Sequence, residues 1–132
     1  MATFRATRLG TILAVADVDR SIDFYTRHLG FITEATYDDP PYATLIRNGV
    51  RLSFAEQGHA AEDRPGVDMV VPDPARLPVV LVLEVTDAAP IHEALVDEGV
   101  QILAEPFAPP WGGLRFFAVD PDGYLVEIEQ PA

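Results

Sequence analysis

The stretch Asp120-Pro121-Asp122-Gly123-Tyr124-Leu125-Val126-Glu127-Ile128-Glu129-Gln130 decides how this chain is read. Asp-Pro-Asp-Gly is a turn: Pro fixes φ, Asp favours the turn, and Gly tolerates positive φ. The residues that follow alternate as a strand, with Tyr124, Val126 and Ile128 on one face and Leu125, Glu127 and Glu129 on the other. A carboxylate in mid-strand among apolar neighbours needs a reason, and three are open: metal ligation, pairing with a bound ligand, or a solvated sheet face. The solvated face is the reading for Glu129. For Glu127 the rest of the chain decides.

Upstream of the turn, residues 114–119 form a strand, reached through Trp111-Gly112-Gly113 and a Pro-rich loop over 105–110. Before that come a strand at 100–104 and a helix from about 88 to 98, with Ile91, Leu95 and Val96 as its apolar stripe and Gly99 closing it. The apolar run 79–85 is a strand that leads into Thr86-Asp87. The first half of the chain repeats this grammar. A strand at 8–16 is followed by a helix starting at Asp17, with Ile22, Phe24, Tyr25 and Leu29 on its apolar side and Gly30 at its end. A strand at 31–37 is broken by Asp38-Asp39-Pro40-Pro41, and strands at 42–47 and 50–55 flank Asn48-Gly49, a strong hairpin signal.

The two passes overlay. Val15 and Val85 lie 70 apart (85 − 15), Gly30 and Gly99 lie 69 apart (99 − 30), and Asn48 and Asp122 lie 74 apart (122 − 48). The strand ends Glu56-Gln57 and Glu129-Gln130 agree as well. A duplicated βαβββ unit follows, over about 8–56 and 79–130, within a single domain spanning 1–132. The connecting segment 57–78, rich in Pro and Gly, carries one short strand at 67–71. One such unit covers only one face of its sheet, so the expected fold is α+β, with two tandem modules forming a curved mixed sheet around a cleft, a favoured place for a ligand.

Composition bounds the function. A chain of 132 residues, 48% hydrophobic and 23% charged, is an ordinary globular chain. It has no cysteine, which excludes disulfides and thiolate metal sites. A formal net charge of −12 speaks against nucleic acid, which needs a basic footprint. No apolar run reaches the length of a membrane span, and Met1 to Gly10 carries no apolar leader, so the expected location is cytoplasmic.

The sequence resembles the vicinal-oxygen-chelate superfamily, also called the glyoxalase / bleomycin-resistance / extradiol-dioxygenase superfamily. The resemblance rests on Val15-Ala16-Asp17 leading to Ser21-Ile-Asp-Phe-Tyr-Thr-Arg-His-Leu-Gly-Phe31, on Trp111-Gly-Gly, and on Asp120-Pro-Asp-Gly-Tyr-Leu-Val-Glu127. It covers residues 8 to 130 and implies paired βαβββ modules in a homodimer. It also implies four metal-ligand positions, which fall on Gly10, Ser53, Val80 and Glu127. Where metal-dependent relatives carry His, Glu or Gln, only Glu127 is a strong donor here, against the roughly three protein donors that a catalytic site needs. No metal and no cofactor are therefore expected. His28, His59 and His92 read as helix or loop residues, and Glu84 shares strand parity with Val80.

The expected ligand is a small molecule. Trp111 and Tyr42, each placed in a loop, would stack on it beside Phe107; Glu127 would anchor it and Ser53 would add a hydrogen bond. One of Phe116 and Phe117 belongs to the core. Two functions follow. One is metal-independent binding that sequesters an aromatic or cationic natural product, as in bleomycin resistance. The other is a glyoxalase-like lyase or isomerase in which Glu127 is both catalytic acid and base.

Overall fold

In the computed structural model, strand β1 (Gly10–Val15) runs parallel to β4 (Val50–Glu56), which pairs antiparallel with β3 (Pro41–Arg47), which in turn pairs with β2 (Ile32–Asp38). Residues 1–59 and 61–132 are described; Ala60, in the connecting segment, lies outside the described residues. The chain divides into two units, Met1–Val71 and Pro72–Ala132.

In the first unit, helix α1 (Val18–Leu29) starts where the sequence places it. The Asp17 carboxylate accepts from the Arg20 N–H at 3.2 Å, and Gly30, at φ 71°, ends the helix in the left-handed region. One sheet face carries Leu13, Val15, Leu45, Leu52 and Phe54, all buried. On it α1 lays Phe24, Tyr25 and Leu29, with the Tyr25 ring 5.2 Å from that of Phe54. Asn48 (φ 44°) and Gly49 (φ 81°) join β3 to β4 with Arg47 opposite Val50, the two-residue turn that the Asn-Gly pair demands.

The second unit repeats this with one loss. Strand β5 (Leu81–Glu84) runs parallel to β7 (Leu125–Gln130), which pairs antiparallel with β6 (Leu114–Val119). The expected strand at 100–104 is reduced to a bridge of Ile102 with Ala118, and pairing resumes only at Phe107 with Arg115. Five positions on one side (107 − 102) thus face three on the other (118 − 115), and Pro106 in that bulge has no N–H to give a ladder. The expected short strand at 67–71 is absent too: among the described residues it has no partner strand, and Val71 N–H instead donates to Gln57 Oε1 at 2.9 Å.

Helix α2 (Ala88–Asp97) buries Ala88 and Leu95 and sets the His92 ring 5.0 Å from Phe116. Val96, expected on the apolar stripe, is half exposed, because it lies one helical step beyond Leu95. The Asp87 side chain makes no capping bond; Gln130 Oε1, at the end of β7, accepts from Ala88 N–H at 2.9 Å. In the first unit Glu56 Oε1, at the end of β4, accepts from Val18 N–H at 3.4 Å. The equivalent pair is therefore Glu56 with Gln130, 74 apart (130 − 56), one residue away from the overlay made on sequence.

Candidate functional site

The Asp120-Pro-Asp-Gly turn is built by a buried side chain. Asp120 Oδ1 accepts from the N–H groups of Asp122 and Tyr124, both at 2.9 Å, and Gly123, at φ 89°, donates to the Asp120 carbonyl at 3.0 Å. That turn fixes the register of β6 against β7, and with it which side chains share a face. Phe116, Ala118, Val126 and Ile128 are buried on the helix side, so Phe116 is the core member of its pair. Val82, Glu84, Arg115, Phe117, Glu127 and Glu129 share the opposite face, with Glu127 between Val82 and Phe117, and Glu129 between Glu84 and Arg115.

Glu127 is only 7% exposed, and it is not alone. Arg115 Nη1 donates to its Oε1 at 3.1 Å, while Arg115 Nη2 donates to Glu129 Oε1 at 3.4 Å. Glu129 is thus an ion-pair partner rather than merely part of a solvated face. The guanidinium lies 5.9 Å from the Trp111 ring centroid, within cation–π reach. The Arg115 backbone exchanges both of its hydrogen bonds with Phe107, at 2.8 and 3.0 Å. Trp111 is 69% exposed, as expected of a ring in a Gly-flanked loop. The loop has little freedom to change: Gly112 and Gly113 have φ of 99° and 87°, and a Cβ on Gly113 would collide with the Gln130 carbonyl oxygen.

The second unit therefore gathers Phe107, Trp111 and Glu127 around Arg115, a residue that reading the sequence missed. Strand alternation could have found it, since Arg115 shares parity with Phe117 on the strand antiparallel to β7.

The first unit holds the other two candidates. Ser53 occupies on β4 the position that Glu127 has on β7, between Ile12 and Thr44. It is 2% exposed, and its hydroxyl shares a 3.0 Å hydrogen bond with that of Thr44. Tyr42, expected both as the first residue of the strand 42–47 and as a loop ring, lies in β3, where pairing extends back to Pro41 opposite Asp38. Its ring lies 6.2 Å from that of Tyr37. Tyr42 lines a cavity of about 40 Å³ with Pro40, Glu56, His59 and Arg64, where His59 Nε2 lies 3.1 Å from Glu56 Oε2. That volume suits a few waters rather than a drug-sized ligand, which needs about 300 Å³ or more.

The four metal-ligand positions do not fit a metal ion. Gly10 and Val80 bring no donor, Ser53 is engaged by Thr44, and Glu127 is engaged by Arg115. Among the described residues no three His, Cys, Asp or Glu side chains converge. No helix among them is long and apolar enough to cross a membrane.

Tandem strand–helix–strand modules, each with its helix on one sheet face and a polar row on the other, define a class of α+β protein. Residues 8–128 match the family model of the Glyoxalase/Bleomycin resistance protein/Dioxygenase superfamily, and the chain belongs to that superfamily. It is 33% identical over 129 residues to a lactoylglutathione lyase of Escherichia coli O157:H7, covering 91% of this chain and 89% of the relative. A glyoxalase/bleomycin resistance protein/dioxygenase from Nocardioides shares the fold at a TM-score of 0.78 and 21% identity, over 97% of this chain and 85% of that one. A bleomycin resistance determinant encoded on the transposon Tn5 is similar at a TM-score of 0.67 and 26% identity, over 96% and 98% of the two chains.

Proposed function

We propose that this protein acts on a small molecule as a metal-independent, glyoxalase-type lyase or isomerase, with Glu127 as its acid–base group. The observation that carries the reading is the pairing of ancestry with placement. The relative that matches nine-tenths of the chain at 33% identity is a lyase, and Glu127 is a buried carboxylate in mid-strand beside an exposed tryptophan. Arg115 holds one of its oxygens, Oε1; Oε2 has no hydrogen-bond partner among the described residues and is the atom left to exchange a proton with substrate. Lactoylglutathione, the compound the relatives are named for, is the first probe. Its consumption, followed by mass spectrometry in metal-free buffer, should proceed with the native chain and stop with Glu127→Gln. Undiminished turnover by Glu127→Gln would remove that residue from the mechanism.

A second reading, binding without turnover, is favoured by the 69% exposure of Trp111 and by the likeness to the Tn5 bleomycin resistance determinant. Here Trp111 stacks on an aromatic natural product, and Trp111→Ala weakens its binding about tenfold or more. Titration with bleomycin is the direct check. A homodimer belongs to both readings, with sedimentation velocity as its measurement.

A further inference from the structure

Arg115 is seated loosely for a guanidinium between two carboxylates. It makes one hydrogen bond to each, at 3.1 and 3.4 Å, and the two-pronged fork to neither. Its Nε–H is buried without a hydrogen-bond partner among the described residues. A buried donor left unmade is costly, so this seat does not use all that the side chain offers. Nη1 and Nη2 each keep a second N–H beyond the one given to a carboxylate, and a planar acceptor arriving beside Trp111 could take these on the part of the side chain that is exposed. The same guanidinium supplies the positive charge that Glu127, Glu129 and neighbouring Glu84 would otherwise draw from solution.

We propose that Arg115 is the resident cation of this site: it selects planar small molecules that present a carboxylate or carbonyl oxygen and turns away metal ions and cationic ligands. This rests on the reading that the Trp111–Glu127 face is where the ligand binds, and it names the class of ligand that face takes. A cationic natural product is then the wrong partner for Glu127, because its counter-ion is already built into the strand alongside. An anion meets repulsion from the three carboxylates, whereas a neutral carbonyl does not, so both kinds of oxygen acceptor belong in the test.

Three near-isosteric probes separate the charges: benzoate, benzamide and benzamidinium. Trp111 is the only tryptophan, so in ¹⁵N-labelled protein its indole N–H gives one unambiguous NMR signal for titration. In the native chain benzoate or benzamide should bind at least about tenfold more tightly than benzamidinium. Arg115→Met should reverse that order and let Mn²⁺ broaden the Trp111 signal, which it should not do in the native chain. Preference of the native chain for benzamidinium, binding of none of the three, or an unchanged order in Arg115→Met overturns the proposal. Should Arg115→Met not fold, Arg115→Lys keeps the charge and loses the fork. It should weaken benzoate at least about threefold while benzamidinium stays disfavoured, and affinities equal to the native chain's would again overturn it. These are binding readouts. A chain that selects oxygen acceptors yet consumes no lactoylglutathione would sink the enzyme reading alone.

Discussion

The two modules share a fold and differ at the equivalent rows of their sheets. In the first, Ile12, Ser53 and Thr44 lie side by side, neutral, with the two hydroxyls bonded to each other. In the second, Val82, Glu127 and Phe117 take those places, with Arg115 two residue pairs along on the same face and bonded to Glu127. The turns that lead into these rows differ in the same sense. Asn48-Gly49 is a minimal two-residue turn held by backbone conformation, while the Asp120–Tyr124 turn is organised by a buried carboxylate. A duplicated scaffold can let one copy become purely structural while the other keeps charged chemistry, because each copy buries its own helix face independently of what the opposite face carries.

The comparison breaks most violently in the two cores. Phe54 of β4 against Tyr25 and Phe116 of β6 against His92 are helix-to-sheet contacts in the two modules, on strands that are not counterparts, and both phenylalanines are buried to within 1%. Phe54→Ala and Phe116→Ala should each cost about 3–5 kcal/mol. Urea denaturation checks the size and also asks whether the modules unfold together. Coincident fluorescence and circular dichroism transitions in both variants mean one cooperative unit, whereas Trp111 fluorescence surviving Phe54→Ala would mean that the second module stands by itself.

A smaller effect separates the turns. Asp120→Ala removes the acceptor of one buried and one part-buried N–H group and should cost about 1–3 kcal/mol. Asn48→Gly should be nearly neutral, since glycine adopts the positive φ of that position freely. Equal losses at the two turns would remove the distinction drawn between them.

Much of this arrangement could be read in the chain. Helix ends at Asp17 and Gly30, the Asn48-Gly49 hairpin and the alternation of β7 are local events that follow from residue type and period, and the structure places them as expected. What escaped was decided by partners distant in sequence. The bulge around Pro106 depends on the register of β6, and β3 reaches back beyond Tyr42 to Pro41 because Asp38 lies opposite it. At the site, Glu127 announced itself as a carboxylate in an apolar run. Arg115 did not, because an arginine beginning a strand is ordinary until its facing residues are known.

The rows themselves give the next contrast. Ser53→Ala leaves the buried Thr44 hydroxyl without its partner and should cost about 1–2 kcal/mol, with no change in what the Trp111 face binds. Glu127→Ala should cost comparably little in stability, since Arg115 keeps Glu129, yet should abolish turnover. Stability that falls at both positions with turnover lost at only one would assign the chemistry to the second module; turnover lost at Ser53 as well would mean that both rows serve it.

The smallest expected effect lies at the strand ends. Glu56 and Gln130 reach from equivalent positions to the first N–H of α1 and α2, at 3.4 and 2.9 Å. α1 has a second capping side chain in Asp17, whereas the Asp87 side chain makes no such bond to α2. Gln130→Ala should therefore cost about 1 kcal/mol, typical of a lost helix cap. Glu56→Ala should cost less, despite the favourable position of its charge at a helix N-terminus, because the Asp17 carboxylate remains. Thermal melting of the two variants side by side checks the order. A larger loss at Glu56 would mean that the charge of the cap, rather than the number of caps, governs how these helices begin.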